Sequence, residues 1–396
     1  MHFKEWDADA WFGGGIMHQK IWVSDRKHVY VGSANMDWLS LCQVKEMGIV
    51  VENSTAIGRD LGAYFDAWWA FAAAGEASPT NATVAAAFSP KYQVTLTKPC
   101  WSALVPPAQR CANPLPNTTG EESFTWERPM QATLNGQKCN LFISGSPQEV
   151  LPVDHGTGDD DTAARSGAAA HSGAAARSGA AARSGAVSHM RTWDQDGIVK
   201  TILDAKTTVS LSVMDFIPNS LYNYEDADGK AQPLWWSAFT EAMLTAATTK
   251  NIRVRLLISH WAHTSPRIIP YLAALESMGA VCAVPAGRYN RACNGTLEVK
   301  LFEVPGWNAT EGPDAVWPPY SRVNHAKYVV TDRRINVGTS NHAWSYFYST
   351  AGSSFNTDHT DLRATLQQVF DRDWDSPYAV GLASHMAHKQ QPRLGD

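Results

Sequence analysis

The chain has 396 residues, 44% hydrophobic and 18% charged, ample for a buried core and, at ~100–200 residues per domain, for two or three globular units. A net charge of −5 and a pI near 6.2 exclude a nucleic-acid-binding surface built from bulk basicity, and no apolar run of ~18 residues, the length a spanning helix needs, occurs in the sequence. Protonating all 13 histidines would carry the net charge from −5 to +8, so an acidic compartment would invert the sign of the molecule.

In chain order, His18, Lys20 and Trp22 alternate with Gln19, Ile21 and Val23, which predicts a strand with its ionisable groups on one face. Val29–Val31 predicts the partner strand of a hairpin, with Asp25 between the two and Gly32-Ser33-Ala34-Asn35 closing it. Residues 44–52 predict a further strand carrying Glu46. A carboxylate there is ordinarily solvated, but beside a catalytic histidine it would fix the imidazole tautomer. A helix is expected over 55–73, on Ile57, Leu61, Tyr64, Phe65 and Trp68. Residues 76–123, rich in Pro, Ser, Thr and Asn, predict a long surface connection. Leu141–Ser144 predicts a short strand, and Gly145-Ser146-Pro147 a turn that opens a second unit.

From 155 to 190 the composition stops being globular. Arg165, His171 and Arg177 each open a Ser-Gly-Ala-Ala-Ala repeat whose glycine opposes helix formation, so a disordered insertion is expected. After Trp193 come a helix on Ile198 and Ile202, a strand on Val209, Leu211 and Val213, and a helix over 236–247. A strand over 254–258, a helix over 268–278 and a strand over 297–304 follow. Strands alternating with helices argue an α/β layered unit.

The hairpin near the start occurs twice. His325, Lys327 and Asp332 repeat the spacing of His18, Lys20 and Asp25, and Gly338-Thr339-Ser340-Asn341 answers the first small-residue run. Phe65, Asp66 and Trp69 are echoed by Phe370, Asp371 and Trp374. Two such faces brought together give two imidazoles, two ammoniums and two amides around one anion-sized space. That suits a phosphodiester: one histidine attacks phosphorus, the other protonates the leaving oxygen, and Lys20, Lys327, Asn35 and Asn341 hold the non-bridging oxygens. No cofactor or metal is required. Asp332 is expected to support its own hairpin, with Asp25 as its counterpart. Tyr222, His260 and Trp261 are candidates for stacking bases near the mouth. No amphipathic helix or exposed apolar lid for a membrane is evident.

The paired motifs resemble the HxK(x)4D signature of the phospholipase D superfamily, and the flanks GSANMDWLSL, VRLLISHWAH, VNHAKYVVTD and RDWDSPY resemble its animal phospholipase D3/D4 subfamily. The resemblance covers residues 1 to about 150 and about 190 to 380. It implies two pseudo-symmetric α/β sandwich units facing each other, 1–124 and 125–396, the first truncated at its amino end, since only 17 residues precede His18. It implies a metal-independent 5′-to-3′ exonuclease of single-stranded nucleic acid working through a phosphohistidine. Phospholipid hydrolysis or transphosphatidylation, and an inactive truncated remnant, are the alternatives. A membrane anchor is expected in the full-length protein, and a homodimer is a further expected partner. The subfamily carries an acid where this chain has Ser349, which leaves one histidine without an evident orienting group.

Six cysteines without a CxxC pair, and sequons at Asn53, Asn81, Asn117, Asn294 and Asn308, point to an oxidising endolysosomal or secretory lumen. Cys100–Cys111 and Cys282–Cys293 are the short-loop disulfide candidates.

Overall fold

The computed structural model describes residues 1–75, 81–85, 95–101, 105, 107–109, 111, 124–150, 191–219, 234–285 and 293–390. The expected insertion at 155–190, Tyr222 and the sequon at Asn117 lie outside them.

The first motif sits in a three-stranded antiparallel sheet, β1 (Ile21–Ser24), β2 (His28–Gly32) and β3 (Gly48–Val51), in that order. Helix α1 (Ala8–Phe12) precedes it, capped by Asp7 accepting from the Ala10 amide and ended by Gly13 at φ 64°. A short helix, α2 (Trp38–Cys42), follows the first small-residue run. Helix α3 (Thr55–Gly75) covers the sheet because Ile57, Leu61, Tyr64, Trp68 and Phe71 recur at helical spacing and are all buried. Gly58 lets it approach: a Cβ there would stand 2.2 Å from the Arg26 carbonyl oxygen. The stretch expected to be a plain surface connection contains a hairpin, β4 (Asn81–Ala85) with β5 (Thr95–Pro99).

The second motif lies in a nine-stranded sheet. Strands β6 (Met130–Leu134) and β7 (Gln137–Ser146) open it as a hairpin unforeseen in the sequence reading, turning at Asn135 and Gly136, both at positive φ. The α/β run then follows in order: α4 (Asp194–Asp204), β8 (Thr208–Val213), α5 (Ala238–Leu244), β9 (Arg253–Ser259), α6 (Ile268–Gly279) and β10 (Thr296–Phe302). The motif hairpin is β11 (Lys327–Thr331) with β12 (Ile335–Gly338); α7 (Ser345–Tyr348) leads to β13 (Gly352–Thr357). Helix α8 (Thr360–Trp374), β14 (Ala379–Gly381) and α9 (Leu382–Gln390) complete the chain. The order is β14-β10-β9-β8-β11-β12-β13-β7-β6, with β8, β9 and β10 parallel.

Strand β11 is buried on both faces, as its apolar run requires. Tyr328 and Val330 join Leu366, Phe370 and Trp374 of α8 in one core, while Val329 faces the larger core beneath α4 and α5. The echoed acids each pair with an arginine, though on different elements: Asp66 of α3 with Arg26 in the β1–β2 turn, Asp371 of α8 with Arg255 of β9.

The two motifs are held together by backbone pairing across the units. Met17 bridges Ala351 and Lys45 bridges Asn324, both parallel, while the His18 amide donates to the Ala351 carbonyl at 3.2 Å and the His325 amide to the Lys45 carbonyl at 2.9 Å. Elsewhere Arg191 clasps Asp60 with two bonds, 2.8 and 2.9 Å, joining the chain after the insertion to α3. Cys100–Cys111 and Cys282–Cys293 are both disulfide-bonded, and Cys42 and Cys139 are free.

Candidate active site

His18 and Lys20 stand on the extended segment leading into β1 rather than within the expected strand, and Glu46 likewise precedes β3. Pairing across the seam turns these lead-ins toward His325 and β11. The rings of His18 and His325 lie 6.4 Å apart, centroid to centroid, at 71°. Each lysine folds back on its own histidine: Lys20 Nζ donates to the His18 carbonyl at 2.8 Å, Lys327 Nζ to the His325 carbonyl at 2.6 Å.

The remaining groups do not follow the twofold pattern. Glu46, from the first copy, accepts from Nδ1 of His325, in the second, with both oxygens at 2.9 Å. That contact fixes the imidazole with Nε2 free. Among the described residues, His18 Nδ1 is buried without a partner in hydrogen-bond geometry. Ser349, where the resemblance expects an acid, donates its Oγ to the Ser345 carbonyl instead. Asn341 is buried, its Nδ2 donating to Asp215 Oδ2 at 3.3 Å and to the Tyr346 hydroxyl at 3.1 Å. Its counterpart Asn35 is exposed and makes no hydrogen bond to the cluster. The expected equivalence of the two amides therefore fails.

Burial dominates the electrostatics. It drives Lys20 down to about 7, helped by Lys327, and Lys327 down to about 7 against the pull of Glu46 and Asp215. It pushes His18 well below the ordinary imidazole range, and His325 down to about 4 although Glu46 pulls it up. Burial also pushes Asp215 up to about 6 and the neighbouring His342, packed on Phe239, down to about 3. Burial raises Glu46, but the His325 hydrogen bond and the His325 and Lys327 charges outweigh it and leave the carboxyl below its usual range. Such a cavity disfavours its own cations and accommodates an anion that would restore their charge.

Several expectations need correction. Asp332 does not brace its own hairpin: Oδ1 accepts from the amides of Lys206, Thr207 and Thr208, capping the chain as it enters neighbouring β8. Asp25 is exposed in the β1–β2 turn at φ 51°, and among the described residues β1 has no second strand partner whose lead-in it would cap. His260 and Trp261 are buried, His260 bonded to Glu303 at 2.9 Å, so neither offers a free ring face. The open face belongs to Tyr320, 64% exposed and stacked on His263 at 4.6 Å. An apolar rim is present after all: Met36, Trp38 and Leu41 are exposed directly after Asn35. Of the sequon asparagines, Asn53, Asn294 and Asn308 are exposed; Asn81 begins β4. Asp215 was missed, although it lies two residues past β8, at the carboxyl end of a strand where α/β sheets place their ligands.

The sequence pattern described as "PLD3/4, PLD-like domain" matches residues 3–91 and 170–307. The 5′-3′ exonuclease PLD3 of Rattus norvegicus is 30% identical over 371 residues, covering 93% of this chain and 57% of the relative. Phospholipase D Z of Dictyostelium discoideum is 29% identical over 374 residues, covering 94% of this chain and 65% of the relative. The chain thus spans less than two thirds of either relative. Among solved structures, the phosphatidylserine synthase of Haemophilus influenzae aligns with a TM-score of 0.42 at 10% identity, covering 93% of this chain and 65% of that one.

Proposed function

The chain belongs to the PLD3/4, PLD-like domain family, and we propose that it is a phosphodiesterase that turns over without a metal through a phosphohistidine. The observation that carries this reading is the facing imidazole pair of His18 and His325 beside two buried lysines. One neutral imidazole, one imidazolium that the bound phosphate keeps charged, and two ammoniums supply nucleophile, acid and counter-charge for one phosphodiester.

In the first step His325 Nε2 attacks phosphorus, a P–N bond forms, and the P–O bond to the leaving group breaks as His18 supplies its proton. Glu46 keeps the attacking tautomer and balances the phosphoimidazolium that persists between steps. Water then attacks phosphorus, its proton passes to His18, and the P–N bond breaks to restore neutral His325. Lys20 and Lys327 offset the charge on the non-bridging oxygens. Protonating Asp215 removes the charge that competes with the phosphate for Asn341 Nδ2, which favours acidic conditions.

The substrate we assign is single-stranded DNA or RNA, supported by the Tyr320–His263 stack beside the seam, where the Arg322 amide donates to the Gln43 carbonyl. The exposed Met36, Trp38 and Leu41 favour phospholipid as the second reading. A lumenal, oxidising setting belongs to the same proposal, supported by two disulfides and by exposed Asn53, Asn294 and Asn308.

The test uses three substrates in EDTA at pH 5: a labelled single-stranded oligonucleotide, phosphatidylcholine vesicles and a p-nitrophenyl phosphodiester. Stepwise release of nucleotides without added metal supports the reading; cleavage of lipid alone replaces it with the second. The nitrophenolate needs no acid, so His18→Ala should keep a burst of its release while His325→Ala loses it. The reverse result would exchange the two roles.

A further inference from the structure

Two to three strands along the sheet from β11, about 10–14 Å away at ordinary strand spacing, is a cluster that the proposed chemistry does not use. His260 is the first residue after β9, Glu303 the first after β10, and His385 lies on α9. Although 43 and 82 residues separate them in sequence, one ligand atom from each lies within 4.8 Å of the other two. His260 Nδ1 is 2.9 Å and His385 Nδ1 3.8 Å from the same oxygen of Glu303. The two rings stand 4.6 Å apart, and both histidines are buried, at 8% and 7% exposure.

We propose that His260, Glu303 and His385 are the protein ligands of a structural divalent-metal site of the zinc class, fastening α9 to the ends of β9 and β10. Two imidazoles and one carboxylate are the donor set that such ions select. Bonds of about 2.0–2.1 Å to a tetrahedral ion set ligand atoms about 3.3 Å apart, so the widest pair closes by about 1.5 Å. Side-chain rotation supplies that. Both imidazoles stay neutral and turn their lone pairs to the ion, and the His260 proton now shared with Glu303 moves to the other ring nitrogen. The surroundings already hold the ligands in place: the His260 amide donates to the Phe302 carbonyl, the Glu303 amide to the Tyr378 carbonyl, and Trp307 packs on the His260 ring at 4.5 Å. A divalent ion satisfies all three ligands.

The test takes the full chain, strips it with EDTA, desalts it and adds Zn²⁺. Zinc retained through gel filtration is measured by mass spectrometry, and stability by scanning fluorimetry. The site predicts one zinc per chain and a rise in Tm of several degrees, both lost in His385→Ala and Glu303→Gln and both kept in His263→Ala, a nearby exposed histidine. Turnover of the p-nitrophenyl phosphodiester should be the same in stripped and loaded protein, which separates failure of this site from failure of the phosphodiesterase reading. Should the ligand variants fail to fold, the cobalt-loaded wild type decides. Visible bands of four-coordinate cobalt support the site, and the pale spectrum of the hydrated ion overturns it. A wild type that retains no zinc, or a His385→Ala chain that retains as much, would also overturn it.

Discussion

The two copies of the motif share spacing and lysine geometry but not surroundings. Strand β11 is paired on both sides and wholly buried; β1 is paired only with β2 among the described residues, and none of its residues is buried. His325 is gripped by Glu46, His18 by no side chain among the described residues; Asn341 is buried in a polar cluster, Asn35 exposed. The repeated residues therefore set where the ionisable groups stand, while their neighbours set what each group is able to do. Identical motif letters do not imply identical roles.

The largest expected effect is on the amides. Removing a buried donor aimed at developing charge costs about 10²–10³-fold in rate, so Asn341→Ala should lose about that on the p-nitrophenyl phosphodiester while Asn35→Ala stays within a few fold. Equal losses would erase the asymmetry. Next comes Glu46→Gln. A hydrogen bond to a charged group is worth about 1.5–3 kcal/mol, so the rate should fall about 10–100-fold. Because Glu46 raises His325, its loss should also move the acid limb of the pH–rate profile to lower pH. An unmoved limb would break the assignment of His325 as nucleophile.

The strands offer a smaller contrast. Val329→Ala leaves a cavity in the larger core and should cost about 2 kcal/mol in denaturant unfolding; Val23→Ala, on half-buried β1, should cost under about 1 kcal/mol. The smallest effect concerns the lysines. A native lysine near 7 against 10.5 unfolded is penalised in full below pH 7, and the penalty fades as pH rises toward 10.5. Lys327→Met should therefore raise Tm by about 2–4 °C below pH 7, with the gain shrinking at pH 9. A lower Tm would mean that the ammonium is better compensated than its burial implies.

Much of this was legible in the sequence because local rules and the global fold agree. The hydrophobic periods of α3, α4 and α6 each name one element and one buried face, and the apolar runs of β8, β9 and β11 name strands buried on both faces. β13 was missed because Gly-Ser-Ser-Phe-Asn-Thr carries one apolar side chain, and its strand is specified by β12 and β7 on either side. β6 left a usable signal, the Asn135-Gly136 turn. Partner choice was the least legible. Asp332, Glu46 and His260 each lie beside plausible local partners in sequence, yet each bonds to a group on another element, and spacing carries no record of that.

The crossed contact between Glu46 and His325 has an evolutionary consequence. A tandem duplication in which each copy kept its own acid would leave the copies free to diverge separately. Here the carboxylate that tunes one repeat is encoded in the other, so a substitution in the first half is felt as chemistry in the second. The halves have become a single heritable unit, and a swap of the first repeat for one from another member of the family would succeed only if it brought a carboxylate to the place of Glu46.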